Sequence, residues 1–351
     1  MTLFAWLLIA PSNVGTNEVV FGPDISNVRS IAYTIPGAQF DDIVVQPADG
    51  STAPRVIATV PSGGPTGAHV RGAASPLGDT IALLWVSPFA VRANLSLVDT
   101  SSGEVRQVDG QFDALSEVAW SADGRRVALI STGESDGAKR TKVIEVDTTT
   151  LLSIPVAEFE GAIQVAPVGY SFDSSRLYIV VVDARGSNLY EQSAGKSQLV
   201  AELSPGRTRD WALSPDGSRL AFIDVLGGGA RNYIGRTMVI ATGTITTQPA
   251  EKNQIGASWV PGSPLPAFGG PGGAWQLTDP APDAAYLVPE DWSPDGHYLV
   301  ATVYASSSDG SGPPQSALEL IKREPVSGES ARLRFSEAQG AAFLGWVRDL
   351  N

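Results

Sequence analysis

The chain has 351 residues, with 24 Lys and Arg against 37 Asp and Glu, a formal net charge of −13 and no cysteine. Nucleic-acid affinity comes largely from clustered Lys and Arg, so this acidic balance excludes nucleic acid as an expected partner. The lack of cysteine removes disulfides, thiolate metal sites and an acylated cysteine from consideration, and it fits an exported bacterial protein as well as a cytosolic one.

The first feature in chain order is the apolar stretch Thr2-Leu-Phe-Ala-Trp-Leu-Leu-Ile-Ala10, followed by a polar spacer. Nine residues are too few to span a bilayer. The first basic residue is Arg29, so the basic head of a signal peptide is missing as well. Two readings stay open for residues 1–20: the remnant of a signal or anchor segment ahead of an extracytoplasmic domain, or a strand packed on the outside of the fold. Residues 21–351 show no linker and are expected to form one domain.

Within that span a turn pattern recurs. It runs Gly22-Pro-Asp, Ser75-Pro-Leu-Gly-Asp, Ser121-Ala-Asp-Gly, Ser171-Phe-Asp-Ser, Ser214-Pro-Asp-Gly, Val260-Pro-Gly-Ser and Ser293-Pro-Asp-Gly. Proline presets the backbone for the second turn position, aspartate bonds nearby N–H groups, and glycine takes the positive φ that closes the turn. Each copy therefore predicts a strand–turn–strand corner.

Each corner is followed by a short apolar run, among them Ile81-Ala-Leu-Leu-Trp, Val127-Ala-Leu-Ile, Leu177-Tyr-Ile-Val-Val-Val, Leu220-Ala-Phe-Ile and Leu299-Val-Ala-Thr-Val. Such runs predict second strands buried on both faces. A third strand then ends in its own Gly or Ser turn, as at Leu97-Val-Asp-Thr-Ser-Ser-Gly103 and Leu189-Tyr-Glu-Gln-Ser-Ala-Gly195. From Pro76 through Ala122, Phe172, Pro215 and Pro261 to Pro294 the corners are spaced 46, 50, 43, 46 and 33 residues apart. The longer intervals match the period of a four-stranded propeller blade. The shortest predicts a reduced or irregular blade. The expected fold is all-β, a propeller of four-stranded antiparallel blades, with seven blades preferred and six the fallback.

The stretches Trp120-Ser-Ala-Asp-Gly-Arg-Arg-Val-Ala-Leu-Ile, Leu213-Ser-Pro-Asp-Gly-Ser-Arg-Leu-Ala-Phe-Ile and Trp292-Ser-Pro-Asp-Gly-His-Tyr-Leu-Val-Ala carry a resemblance over roughly residues 20 to 351. They resemble the TolB-type, WD-repeat-like (PD-repeat) β-propellers of bacteria. The resemblance implies the fold and tilts the setting towards extracytoplasmic, but its motif consists of structural residues, and propellers host binding modules and enzymes alike.

Phe343-Leu-Gly-Trp-Val-Arg-Asp349 reads as an innermost strand with no partner left in its own blade. Pairing it into the first blade would remove two open sheet edges. Glu18-Val-Val-Phe-Gly-Pro-Asp24 competes for that slot. Glu329 to Gln339 is the single stretch with a mild helical look.

Catalytic patterns fail when placed on these elements. Gly133-Glu-Ser-Asp-Gly137 matches a nucleophile elbow, yet it lies between two strands where the elbow needs a strand entering a helix. Ser193-Ala-Gly-Lys196 matches Ser-x-x-Lys but occupies a recurrent turn. There are two histidines, His69 and His297, too few for a zinc site built on imidazole. An oxygen-ligated calcium site stays open, since Asp, Asn and carbonyl ligands abound in propeller loops.

A propeller recognises ligands on one rim, where residues just before the innermost strands meet the loops between second and third strands. The candidates there are His69, Arg71, Ser116, Glu117, Gln164, Arg209, Asp210, Gln254, Glu290 and Asp291, with Tyr233 and Phe89 as rim aromatics. The leading expectation is a non-enzymatic, monomeric binding module for a protein, peptide or glycan. The alternative is a propeller hydrolase or lactonase with a metal in the channel mouth.

Overall fold

The computed structural model describes residues 27–61, 70–86, 90, 92–135, 138–227, 232–248, 253–271, 284–305, 315–323, 330–334 and 340–349. The competing strand at Glu18 to Asp24, the apolar opening, His69 and Phe89 lie outside them.

The described residues form antiparallel sheets in chain order. The first holds β1 (Val28–Ile35), β2 (Phe40–Pro47) and β3 (Arg55–Pro61). The second holds β4 (Arg71–Ala74), β5 (Thr80–Trp85), β6 (Ala93–Asp99) and β7 (Val105–Phe112), and the third β8 (Ala119–Trp120), β9 (Arg126–Ser135), β10 (Ala138–Asp147) and β11 (Ser153–Glu160). The fourth comprises β12 (Gln164–Tyr170), β13 (Leu177–Asp183), β14 (Gly186–Ser193) and β15 (Lys196–Ser204), and the fifth β16 (Arg207–Leu213), β17 (Arg219–Leu226), β18 (Asn232–Val239) and β19 (Thr244–Thr247). A two-stranded sheet, β20 (Ile255–Trp259) with β21 (Pro266–Gly269), fills the shortened interval. The last blade is β22 (Ala284–Trp292), β23 (Tyr298–Ala305), β24 (Gln315–Arg323) and β25 (Ser330–Arg334), after which β26 (Phe343–Arg348) returns to the first.

Six sheets are thus complete four-stranded blades, the fallback count, and the two-stranded sheet stands where the preferred seventh blade would be. Apolar clusters fill the gap between each neighbouring pair of sheets around the ring. Val44, Leu320 and Trp346, for example, join the last blade to the first, while Phe222, Leu203 and Tyr178 join the fourth to the fifth. Glu329 to Gln339 is corrected: Ser330–Arg334 is strand β25, because the blade needs a fourth strand there and pairing with β24 overrides local helical preference.

The corners share one hydrogen-bond design. In the fifth blade Ser214 Oγ donates to Asp216 Oδ1 at 2.6 Å and accepts from the Arg219 N–H at 2.9 Å, while Asp216 also accepts from the Ser218 N–H at 3.0 Å. Ser121 with Asp123, Ser171 with Asp173 and Ser293 with Asp295 repeat it. Gly124, Gly217 and Gly296 supply φ of 69°, 67° and 74° at the fourth position, where the fourth blade uses Ser174 at 58°. Ser174 is held in that unfavourable conformation from the neighbouring blade: its hydroxyl accepts the Asp123 N–H at 3.2 Å and its carbonyl accepts from Arg126. At two of the corners the tryptophan ahead of the turn stitches neighbouring sheets together. Trp120 Nε1 donates to the Ala73 carbonyl at 2.9 Å and Trp259 Nε1 to the Ala212 carbonyl at 2.8 Å.

Strand β26 occupies the innermost place of the first blade, paired with β1 through Trp346 opposite Ile31. It is locked to the second blade's corner as well, the Arg348 N–H donating to the Gly78 carbonyl at 2.9 Å and Arg348 Nε to the Leu77 carbonyl at 2.9 Å. The chain's last described strand therefore joins both ends of the ring.

Candidate functional site

The innermost strands β26, β4, β8, β12, β16, β20 and β22 follow one another around the channel. Each begins on the same face, so the residues opening these strands gather at one mouth. Regular pairing would alternate their side chains along the pleat; bulges redirect them.

Among the described residues five innermost strands bulge at this level: β12 at Val168, β26 at Leu344, and the three neighbours β16, β20 and β22. In β16 the pairing with β17 jumps from Arg209 to Ala212, leaving Asp210 and Trp211 out of register, with Asp210 at a φ of 52°. In β20 Gly256 is the extra residue between Ile255 and Ala257, and in β22 it is Glu290 between Pro289 and Asp291. The released groups Asp210, Trp211, Gly256 and Glu290 all line one cavity of ≈740 Å³, together with Glu117, Arg209, Tyr233, Asn253, Tyr286 and Tyr304. A second cavity of ≈550 Å³ shares Glu117, Arg209, Asp210 and Trp211 and adds Gln164.

Asp210 organises the centre. Its Oδ1 accepts from Arg209 Nε at 2.9 Å and its Oδ2 accepts from the Gly256 N–H at 2.8 Å, linking the fifth blade to the two-stranded sheet. Trp211 is fixed by donating Nε1–H to Thr208 Oγ1 at 2.8 Å. Glu290 accepts from the Thr302 hydroxyl at 2.6 Å. Tyr286 and Tyr304 sit opposite one another across β22 and β23 with ring centroids 4.8 Å apart.

The carboxyls Glu117, Glu290 and Asp291 are reached by water yet crowded by protein from several blades, so their dehydration is partial. Burial raises the Glu117 carboxyl above the usual range, opposed by Arg71 and reinforced by Asp210. Burial also raises Glu290, against the Thr302 hydrogen bond and with the charges of Asp210 and Glu117 adding to it. Asp291 is pushed up to about 7, first by burial and then by Glu290, with the Trp292 N–H and Ser258 opposing.

Of the expected rim residues, Glu117, Arg209, Asp210 and Glu290 line one cavity, Arg71 acts on Glu117 through space without lining it, Asp291 follows Glu290 in β22, and Gln164 lies in the adjoining cavity. Gln254 does not join them. It is 4% exposed, and its Oε1 accepts the Gly235 N–H at 2.6 Å between β18 and the two-stranded sheet. Ser116 is also structural, its hydroxyl accepting the Ile130 N–H at 2.9 Å. Ser135 ends the first strand of the β9–β10 hairpin, opposite Ala138, in a strand pair rather than a strand–helix elbow. Among the described residues no group of three or more His, Asp or Glu side chains is placed to hold a metal ion. The sequence reading missed Trp211, which the β16 bulge brings to the cavity, and Tyr286 and Tyr304, which only the cross-strand register pairs.

No family model matches the chain, and no curated protein matches it. Solved structures do. TolB from Acinetobacter baumannii is similar with a TM-score of 0.56 at 16% identity, over 90% of this chain and 67% of that one. The β-propeller domain of the Trilobed protease from Pyrococcus furiosus, described as having an open velcro topology, gives 0.56 at 13% identity over 86% and 97%. An oligogalacturonate lyase in complex with manganese gives 0.53 at 17% identity over 82% and 84%. At these identities the likeness shows a β-propeller shared with TolB-type proteins and with enzymes alike.

Proposed function

We propose that this chain is a non-enzymatic binding module that receives a polar group of a protein, peptide or glycan at the channel mouth around Arg71, Glu117, Arg209, Asp210 and Glu290. One observation carries the reading: innermost strands bulge repeatedly in this ring, but where the β26 bulge releases the buried Leu344, the adjacent bulges of β16, β20 and β22 release residues that line a single cavity. Bulges cost pairing and recur where a side chain must be re-aimed, so their convergence favours a ligand site over a solvated rim. The blade corners on the opposite face spend their polar groups on one another.

The hydrolase or lactonase reading has carboxylates to draw on. Among the described residues, however, they are spread around a cavity wide enough for a ligand group and are not gathered as ligands for an ion. An extracytoplasmic setting belongs to the same proposal and rests on the family resemblance and the apolar stretch Thr2 to Ala10; cell fractionation of the tagged full chain tests it.

The test of function is a screen of the full chain against peptide and oligosaccharide arrays. A binder is expected whose affinity shifts severalfold, in the direction set by the sign of its charge, when Arg71 and Arg209 are both changed to Ala while the melting temperature stays near wild type. A binder indifferent to that change, or an ester or lactone hydrolysis lost in Ser135→Ala, would overturn the reading.

A further inference from the structure

The cavity's charge is unbalanced in a way that specifies its guest. Its lining holds the carboxylates Glu117, Asp210 and Glu290 against a single guanidinium, Arg209. That guanidinium is already engaged by Asp210, whose second oxygen is taken by the Gly256 N–H. The Glu117 carboxylate accepts no hydrogen bond among the described residues and feels the charge of Arg71 through space. Glu290 has a neutral hydroxyl from Thr302 as its partner. Two carboxylates thus line one cavity, neither of them hydrogen-bonded to a cationic side chain among the described residues.

The walls add an independent feature. Trp211, Tyr233, Tyr286 and Tyr304 are half-buried and surround the same space, the last two stacked at 4.8 Å. Aromatic faces attract cations by their quadrupole, and they cover an aliphatic stem equally well. An anion would meet uncompensated repulsion from Glu117 and Glu290, and a neutral sugar would leave both carboxylates unmatched.

Resting on the binding-module reading, we propose that this cavity takes an organic cation, an ammonium or guanidinium head on an apolar stem, with Glu117 and Glu290 as its counter-charges and the tyrosines as its walls. Two sources present that chemistry: a lysine or arginine side chain of a partner, or a free polyamine. Proton release on binding follows from the same arrangement, because a bound cation favours the charged carboxylates. Affinity should therefore fall as pH drops and Glu117 and Glu290 take protons, with Arg71, Arg209, Asp210, Asp291 and Tyr304 as the other ionisable groups in their surroundings.

The experiment is calorimetry of the full chain at low salt with spermidine, with an acetylated Gly-Lys-Gly amide, and with the same peptide acetylated on its lysine amine. Both cations should bind and the neutral peptide should not; whichever cation binds tighter identifies the source. Glu117→Gln with Glu290→Gln should weaken binding by at least about tenfold, as expected when close charge pairs are removed. Glu158→Gln with Glu160→Gln, which removes two charges paired with Arg140 on the outer strand β11, should leave binding unchanged. Equal weakening by both pairs would reduce the effect to bulk charge and overturn the proposal. Should the first pair fail to fold, the wild-type pH profile decides, a flat one being fatal. A neutral or anionic peptide that binds and is lost in Arg71→Ala with Arg209→Ala would overturn the cation class while leaving the binding module intact.

Discussion

Ser214 and Asp216 form a bond of 2.6 Å that turns a hydroxyl into the hub of a whole corner. With its proton committed to Asp216, Ser214 Oγ has lone pairs directed at the Arg219 N–H, and the same Asp216 Oδ1 also accepts the Ser218 N–H while Oδ2 accepts the Ser218 hydroxyl. Asp216→Ala should cost about 0.5–2 kcal/mol, the range for side-chain bonds that cap exposed backbone donors. Chemical denaturation checks this, and binding at the channel mouth should survive. Lost binding at unchanged stability would mean that Asp216 is functional.

The hairpin joining β14 and β15 turns on Ala194 and Gly195, with φ of 47° and 74°. Two positive φ angles in a two-residue loop ask for Asn-Gly, and alanine there carries the left-handed penalty of its Cβ. Since Ala194 is exposed, Ala194→Asn should stabilise the protein by about 0.5–1 kcal/mol. A denaturation midpoint that does not rise would show the turn to be relaxed as it stands.

The corners and second strands were legible because turn chemistry and apolar runs repeat with the blade; Ser214-Pro-Asp-Gly and Leu220-Ala-Phe-Ile declare their roles locally. The strand around Trp346 was legible for a related reason, since Phe343-Leu-Gly-Trp346 repeats the innermost-strand pattern that precedes the corners. The site was legible only in part. Arg71, Glu117, Arg209, Asp210 and Glu290 follow from counting back from the corners, but bulges shift the register by a residue, and no composition signal marks Glu290 as the released one. Gln254 shows the converse failure. Its position in the count is right, yet the two-stranded sheet turns its side chain inward onto Gly235.

Gly345 tests closure without truncating the chain. It sits in β26 at a φ of 138°, and a Cβ there would stand 2.6 Å from Ala74 Cβ of the second blade. Gly345→Ala therefore combines backbone strain with a clash that backbone must move to relieve, at a cost of roughly 1–3 kcal/mol. Deleting residues 340–351 should do more, leaving the inner edge of β1 unpaired and the protein prone to aggregate. A truncated protein that melts with the full one would refute ring closure by β26.

Asp291 gives the stability of this protein a pH dependence of predictable sign. Its carboxyl lies at about 7 in the fold, held up first by burial, whereas an unfolded chain titrates near 3.9, so the folded state binds the proton more tightly. The stabilisation is complete below the unfolded value and is lost as pH rises through 7, with Glu117 and Glu290 shifted in the same direction. The corner aspartates act oppositely: Asp173 is lowered to about 2 by the Ser171 and Ser175 hydrogen bonds, and its contribution is lost in acid. Between pH 5 and 8 the channel carboxyls therefore set the slope, and the melting temperature should decline. Asp291→Asn keeps the acceptor for the Trp292 N–H while removing the charge, so the variant's advantage in melting temperature over the wild type should grow from pH 5 to pH 8. Parallel melting curves across that window would show that Asp291 is ionised and well solvated in the native channel.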